Sequence, residues 1–172
     1  MVIANFKRNI MARHLIAQLW LSVALSLSTM AYAETITGRV VGVSDGDTLT
    51  ILDSTNTQLK IRLAAIDAPE KAQPYGQRGK QKLSDLCFGK SASVQVISID
   101  RFERPVGDID CAGVNANEMM VQSGLAWIDP RYDKGHEHFY AIEEDARSVR
   151  RGLWADDNPT PPWEWRKAKR NH

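Results

Sequence analysis

Leu59, Ile61 and Leu63 alternate with Lys60, Arg62 and Ala64, the period-two pattern of a half-buried strand. That register turns Arg62 away from the core, where it is free to meet a ligand. Upstream, Thr35 to Asp53 reads as two strands joined at Ser44-Asp45-Gly46, because Asp-Gly is a strong hairpin signal. Gly76–Phe88 reads as a helix stopped by Gly89. Two more strands follow at Ser93–Ile99 and Val106–Cys111. Asn115 has the place of an N-cap, with Glu118 at the capping-box position and Gly124 closing that helix. A last amphipathic helix over about His138–Arg151 gathers Phe139, Ile142, Ala146, Val149 and Leu153 on one stripe. Prolines crowd the segment after Asn158 and speak against regular helix there. The expected fold is α+β and mainly β: a closed, OB-like five-stranded Greek-key barrel with about three helices.

The first 33 residues break this pattern. Lys7, Arg8 and Arg13 precede an uncharged apolar run from Leu15 to Met30, which ends in Ala31-Tyr32-Ala33. This is the layout of a signal peptide cleaved after Ala33. A retained anchor is the alternative, but the run is short for a bilayer and carries Gln18 and several serines. No cysteine follows the cleavage site, which argues against a lipoprotein. The expected organisation is a signal peptide over 1–33, one globular domain over 34–157 and a Pro/Trp-rich basic tail over 158–172. The expected location is periplasmic or secreted, with no stable membrane association after cleavage and a monomeric chain.

Composition fits an ordinary globular domain, at 43% apolar and 25% charged residues. The leader holds three of the 22 basic residues and no acidic one, so 19 remain against 21 acidic, a net charge of −2. A polyanionic partner must therefore be held by local positive patches, which counts against a tight, non-catalytic DNA binder. Cys87 and Cys111 are the two cysteines, both after the leader. In an oxidising compartment they read as a disulfide pair, with two buried thiols as the alternative. The absence of CxxC or Cys/His clustering argues against structural zinc.

Asp47 stands just beyond the Asp-Gly turn and Asp67 just past the end of a strand. Brought together by barrel closure, the two carboxylates offer hard oxygen ligands suited to Ca²⁺. Pro69 holds Ala68 extended, which makes the Ala68 carbonyl a further candidate ligand. Asp45 and Asp47 are equally at home as turn residues, and only Asp67 and Glu70 tip the balance. Glu70, following Pro69, has the chemistry to hold or deprotonate a water. Arg62 and Arg104 have the planar fork that donates two hydrogen bonds to a phosphodiester, and a salt bridge between Arg104 and Glu103 is the plainer alternative. Phe102 and Tyr132 suit base stacking, though a place in the core is the commoner fate of such rings.

Together Asp45-Gly-Asp-Thr48, Arg62-Leu-Ala-Ala-Ile-Asp-Ala-Pro-Glu70, Asp100-Arg-Phe-Glu-Arg104 and Asn115-x-x-Glu118…Gly124-Leu-Ala126 resemble the staphylococcal nuclease family from about Ile36 to Trp154. The resemblance implies an OB-fold barrel and a Ca²⁺-dependent endonuclease acting on DNA and RNA, leaving 3′-phosphate ends. It implies Asp47 and Asp67 as calcium carboxylates, the Ala68 carbonyl as a further ligand, Glu70 as general base, and Arg62 and Arg104 as catalytic arginines. Glu103 departs from the family pattern, which has glycine there, and Pro130 replaces one of two nucleotide-flanking tyrosines while Tyr132 keeps the other place. A binding module of the same fold, weak in catalysis, is the rival reading. For the tail, Trp163 and Trp165 are expected to pack on the barrel or last helix rather than extend a nucleic-acid track.

Overall fold

The computed structural model describes residues 34–171; the expected leader lies outside them. The first strand, β1 (Thr35–Val43), pairs antiparallel with β2 (Thr48–Leu52), which pairs with β3 (Gln58–Leu63). On its other side β1 pairs with β5 (Ser91–Ile99), which pairs with β6 (Pro105–Cys111). A parallel contact between β3 and β6, with Arg62 opposite Val106 and Leu63 opposite Gly107, closes the barrel. This is the five-stranded OB-like barrel expected from the alternation.

The backbones of β5 and β6 approach closely at Gly107. A Cβ on Gly107 would lie 2.3 Å from the Gln95 carbonyl oxygen, so any side chain there would push β5 and β6 apart. Inward residues of all five strands, among them Val40, Leu49, Ile51, Ile61, Leu63, Val94 and Ile109, form the buried core.

Short elements escaped the sequence pattern because two residues carry no readable period. These are β4 (Ile66–Asp67), paired with β8 (Trp127–Ile128), and β7 (Val114–Asn115), which extends the sheet beside β6. The helices are α1 (Gly76–Cys87), α2 (Ala116–Gln122) and α3 (Phe139–Ser148), followed by a 3₁₀ turn at Gly152–Ala155. The Asn115 side chain accepts from the Glu118 N–H at 2.9 Å, as the capping pattern anticipates. Val149, assigned to the apolar stripe of α3, instead lies past its end and is exposed. Among the described residues no helix is long and apolar enough to cross a membrane.

The tail departs most from expectation. A fourth helix, α4 (Pro162–Arg170), stands where the prolines argued against one. Proline is excluded from helix interiors, but Pro162 occupies the first turn, where its missing N–H would have had no partner anyway. Trp163 packs edge-on against Trp127 at 5.9 Å, in line with the packing expected for the tail. Cys87 and Cys111 are joined in a disulfide that ties the end of α1 to the end of β6.

Candidate active site

The strand pairing of β2 with β3 sets Thr48 opposite Arg62, which brings Arg62 beside Asp47. Arg62 Nη1 donates to Asp47 Oδ1 at 3.0 Å, and Nη2 donates to Asp67 Oδ1 at 3.1 Å and to the Ile66 carbonyl at 3.2 Å. One guanidinium thus clamps two carboxylates from different strand ends. It is not the free side chain that the strand register alone suggested.

Both carboxylates are buried, with Asp67 fully inaccessible. Asp47 is fixed further by the Thr48 hydroxyl on Oδ1 at 2.9 Å and the Ala68 N–H on Oδ2 at 3.0 Å. Burial pushes the Asp47 carboxyl above its usual range, with Arg62 pulling it back. Burial works against the charge on Arg62 as well, but Asp47 and Asp67 outweigh it and hold its pKa above the ordinary value. Asp67 owes its place to the β4–β8 pair, where it stands opposite Trp127. Behind that pair, Glu143 of α3 accepts the Ile128 N–H at 3.1 Å. Asn117 of α2 is a second buried brace, donating to the carbonyls of Ala64 and Gly107 and accepting the Ile109 N–H.

Glu70 sits beside this group in a turn held by Gln73: the Glu70 N–H donates to Gln73 Oε1, and the Gln73 N–H to the Glu70 carbonyl. Its carboxylate is 40% exposed, accessible to water as expected. Sequence reasoning missed the residue that meets it. Arg166 of α4 donates from Nη1 to Glu70 Oε1 at 2.8 Å and to Asp67 Oδ1 at 3.1 Å, and from Nη2 to Asp67 Oδ2 at 2.6 Å. Hydrogen bonding to Asp67 first, then to Glu70, raises the Arg166 pKa above its ordinary value despite partial burial. The signal in the sequence was the run of cations after Trp165, but nothing in it says which one turns inward.

Arg104 does not join this cluster. It lies in the β5–β6 turn, two residues before the Val106 that faces Arg62 across the barrel seam. Its partner is Asp100, whose Oδ2 accepts from Arg104 Nε at 2.8 Å and forms an ion pair with Nη2 at 2.6 Å; no bond to Glu103 holds it. Glu103 has φ of +61°, the left-handed region that glycine enters at least cost, which is the physical sense of a glycine at that place. Phe102 and Tyr132 are 63% and 68% exposed, so neither ring belongs to the core. Arg101 and Arg104 both lie over the Phe102 ring, at 4.7 and 5.5 Å. An open groove of about 530 Å³ runs between Lys60 and the Phe102–Pro105 turn. A groove of about 580 Å³ on the side of Trp127, Arg147 and Trp154 contains none of the candidate residues.

Among the described residues no three or more His, Cys, Asp or Glu side chains converge into a ready cage for a metal. The donor set of Asp47 and Asp67 nevertheless fits a hard cation. Two buried carboxylates share one arginine, and a second cationic group, Arg166, is already drawn onto Asp67.

A family model described as staphylococcal nuclease homologue matches residues 60–156. A micrococcal nuclease of Shigella flexneri is 38% identical over 160 residues, covering 87% of this chain and 91% of that protein. An uncharacterized endonuclease of Haemophilus influenzae is 42% identical over 135 residues, covering 78% and 75%. A probable staphylococcal-like nuclease of Oryza sativa subsp. japonica is 48% identical over 112 residues, 65% of this chain and 34% of the plant protein. With the barrel and the clamped carboxylates in place, these matches establish that the chain belongs to the staphylococcal nuclease family and is an enzyme of the nuclease class.

Proposed function

We propose that this nuclease is Ca²⁺-dependent and hydrolyses both DNA and RNA, breaking the P–O5′ bond to leave 3′-phosphate ends. The observation that carries the reading is the Arg62 fork spanning Asp47 and Asp67. It puts a phosphate ligand and two hard-cation ligands into one buried group. Asp47, Asp67 and the Ala68 main chain would hold the cation, which supplies charge for a phosphate oxygen when bound. Glu70, the accessible carboxylate beside them, takes a proton from the attacking water. The leaving 5′-oxygen recovers a proton from solvent. Arg62 and Arg104 meet the negative charge that builds on the phosphoryl oxygens, Arg104 from the edge of the Lys60–Phe102 groove.

The enzyme works as a monomer in the periplasm or outside the cell. The Cys87–Cys111 bond supports that location, since such bonds persist in oxidising compartments. Nicking of plasmid DNA with Ca²⁺ and with excess chelator tests the metal, and full activity in chelator would defeat it. Products that accept a 5′ label from polynucleotide kinase without prior phosphatase treatment carry the expected 5′-hydroxyl. Glu70→Gln should lower turnover by roughly 10²–10⁴-fold with little change in substrate affinity.

The rival reading, a binding module weak in catalysis, draws on one observation: Arg166 engages both Asp67 and Glu70. It requires tight binding with only weak cleavage even at saturating Ca²⁺.

A further inference from the structure

We propose that Arg166 is an internal counter-cation, seated on the cation's own ligands, and that Ca²⁺ binds only as Arg166 yields. The proposal rests on the reading of Asp47 and Asp67 as cation ligands. It makes the C-terminal helix a regulator of how much Ca²⁺ the enzyme needs.

The occupancy of Asp67 carries the inference. Its Oδ1 accepts from Arg62 at 3.1 Å and from Arg166 at 3.1 Å, and its Oδ2 accepts from Arg166 at 2.6 Å. A carboxylate oxygen has about two acceptor positions, so Oδ1 is saturated and Oδ2 is held by a short, charge-assisted bond. Glu70, the proposed base, is occupied by the same guanidinium at 2.8 Å. A cation approaching Asp67 meets a group of like charge already in place.

Charge balance points the same way. Asp47, Asp67 and Glu70 face Arg62 and Arg166, leaving one unit of negative charge. Without Arg166 the group carries two, the charge that a divalent ion neutralises. With Arg166 and a divalent ion both seated, these five ion-paired groups would be net positive around two buried carboxylates, which leaves Asp45, two residues before Asp47, to offset the excess.

The helix that carries Arg166 is anchored away from its charged end. Pro162 is buried, Trp163 rests on Trp127, and Gln73 Nε2 donates to the Thr160 carbonyl at 2.6 Å. Gln73 also holds the Glu70 turn, so the tail is fastened to the loop that it controls. A displaced guanidinium therefore remains tethered nearby at high effective concentration, and competes again when the cation leaves.

Calorimetric titration of Ca²⁺ into the full chain, its Arg166→Gln variant and its Asp47→Asn variant tests this. Arg166→Gln should bind Ca²⁺ about tenfold more tightly, within the usual span of coupling between sites. Thermal melts add a readout that a merely structural arginine would not move. Arg166→Gln should melt lower than wild type in chelator, and the gap should narrow or reverse at saturating Ca²⁺. Arg166→Ala should give the same ranking, which guards against a new partner for the glutamine. Equal or weaker Ca²⁺ binding by both Arg166 variants overturns the proposal, and leaves the cation site standing if Asp47→Asn abolishes wild-type binding. Absence of Ca²⁺ binding in wild type and Arg166 variants alike overturns the cation reading and this proposal with it.

Discussion

Arg62 and Arg104 carry the same planar fork on either side of the β3–β6 seam, yet they are held by different kinds of structure. Arg62 is fixed by carboxylates at two other strand ends, Asp47 and Asp67, and by the Ile66 carbonyl. Arg104 is fixed by Asp100 within its own turn, which also binds the N–H groups of Phe102 and Arg104. The first arrangement needs β2 paired with β3 and Asp67 held in the β4–β8 pair. The second is a local motif in which one aspartate organises five residues of chain. Tertiary assembly thus builds a shared, partly desolvated cluster, where each charge depends on several others. The turn builds a self-contained arm whose faults stay local.

The largest expected contrast sets Asp67→Asn against Asp100→Asn. Under the proposed function, Asp67→Asn removes a cation ligand and a partner of Arg62 and Arg166 together, so plasmid cleavage should fall by about 10³-fold. Asp100→Asn loosens an outer support of Arg104 and should cost only about tenfold. Equal losses in single-turnover assays would erase the distinction between the two regions.

Replacing each arginine by lysine sharpens it. An ammonium cannot span two carboxylates, so Arg62→Lys should lower kcat by about 10²-fold, with a smaller loss for Arg104→Lys. Comparing the two kcat values at saturating substrate and Ca²⁺ decides the order.

The disulfide sits at the Cys111 end of β6, remote from the Arg104 turn at its start. Cys87→Ser with Cys111→Ser should lower unfolding stability by about 3 kcal/mol while leaving turnover of the folded protein unchanged. Urea unfolding with and without reductant gives the stability, and plasmid nicking below the transition gives the turnover.

The smallest effect belongs to Glu103. Relieving its left-handed backbone with Glu103→Gly should stabilise the turn by about 0.5–1 kcal/mol. Activity should be unchanged or higher, since Asp100 and not Glu103 holds Arg104. A drop in turnover would give Glu103 a role in the chemistry.

The barrel was legible because its strands are long enough for alternation to show, and because Asp-Gly and Asn115-x-x-Glu118 mark their turns and caps by local chemistry. Asp47, Arg62 and Asp67 were legible through the ordered motifs that place each at a strand or strand end, and the structure does bring them together. What resisted was non-local. That Asp100 and not Glu103 would take Arg104 depends on how the turn folds around the Asp100 carboxylate. That Arg166 would reach Asp67 depends on where α4 docks, and its prolines were read as a bar to helix instead of a start. For Phe102 and Tyr132 the sequence left base stacking and a place in the core both open, and turn geometry holds the two rings outside the core.

The parallel seam that pairs Arg62 with Val106 also bears on when this enzyme becomes active during its own folding. The hairpins β1–β2–β3 and β5–β6 can each form from neighbouring chain, and the Arg104 turn can form with its hairpin. Neither sets the Arg104 turn alongside β3. That placement waits for a contact between distant segments, which carries the loop-closure entropy of everything between them and belongs to the slow part of folding. Regain of cleavage after dilution from denaturant should therefore follow the slowest barrel-closing phase, trailing the recovery of hairpin structure, so that a nascent or half-folded chain is harmless to nucleic acid.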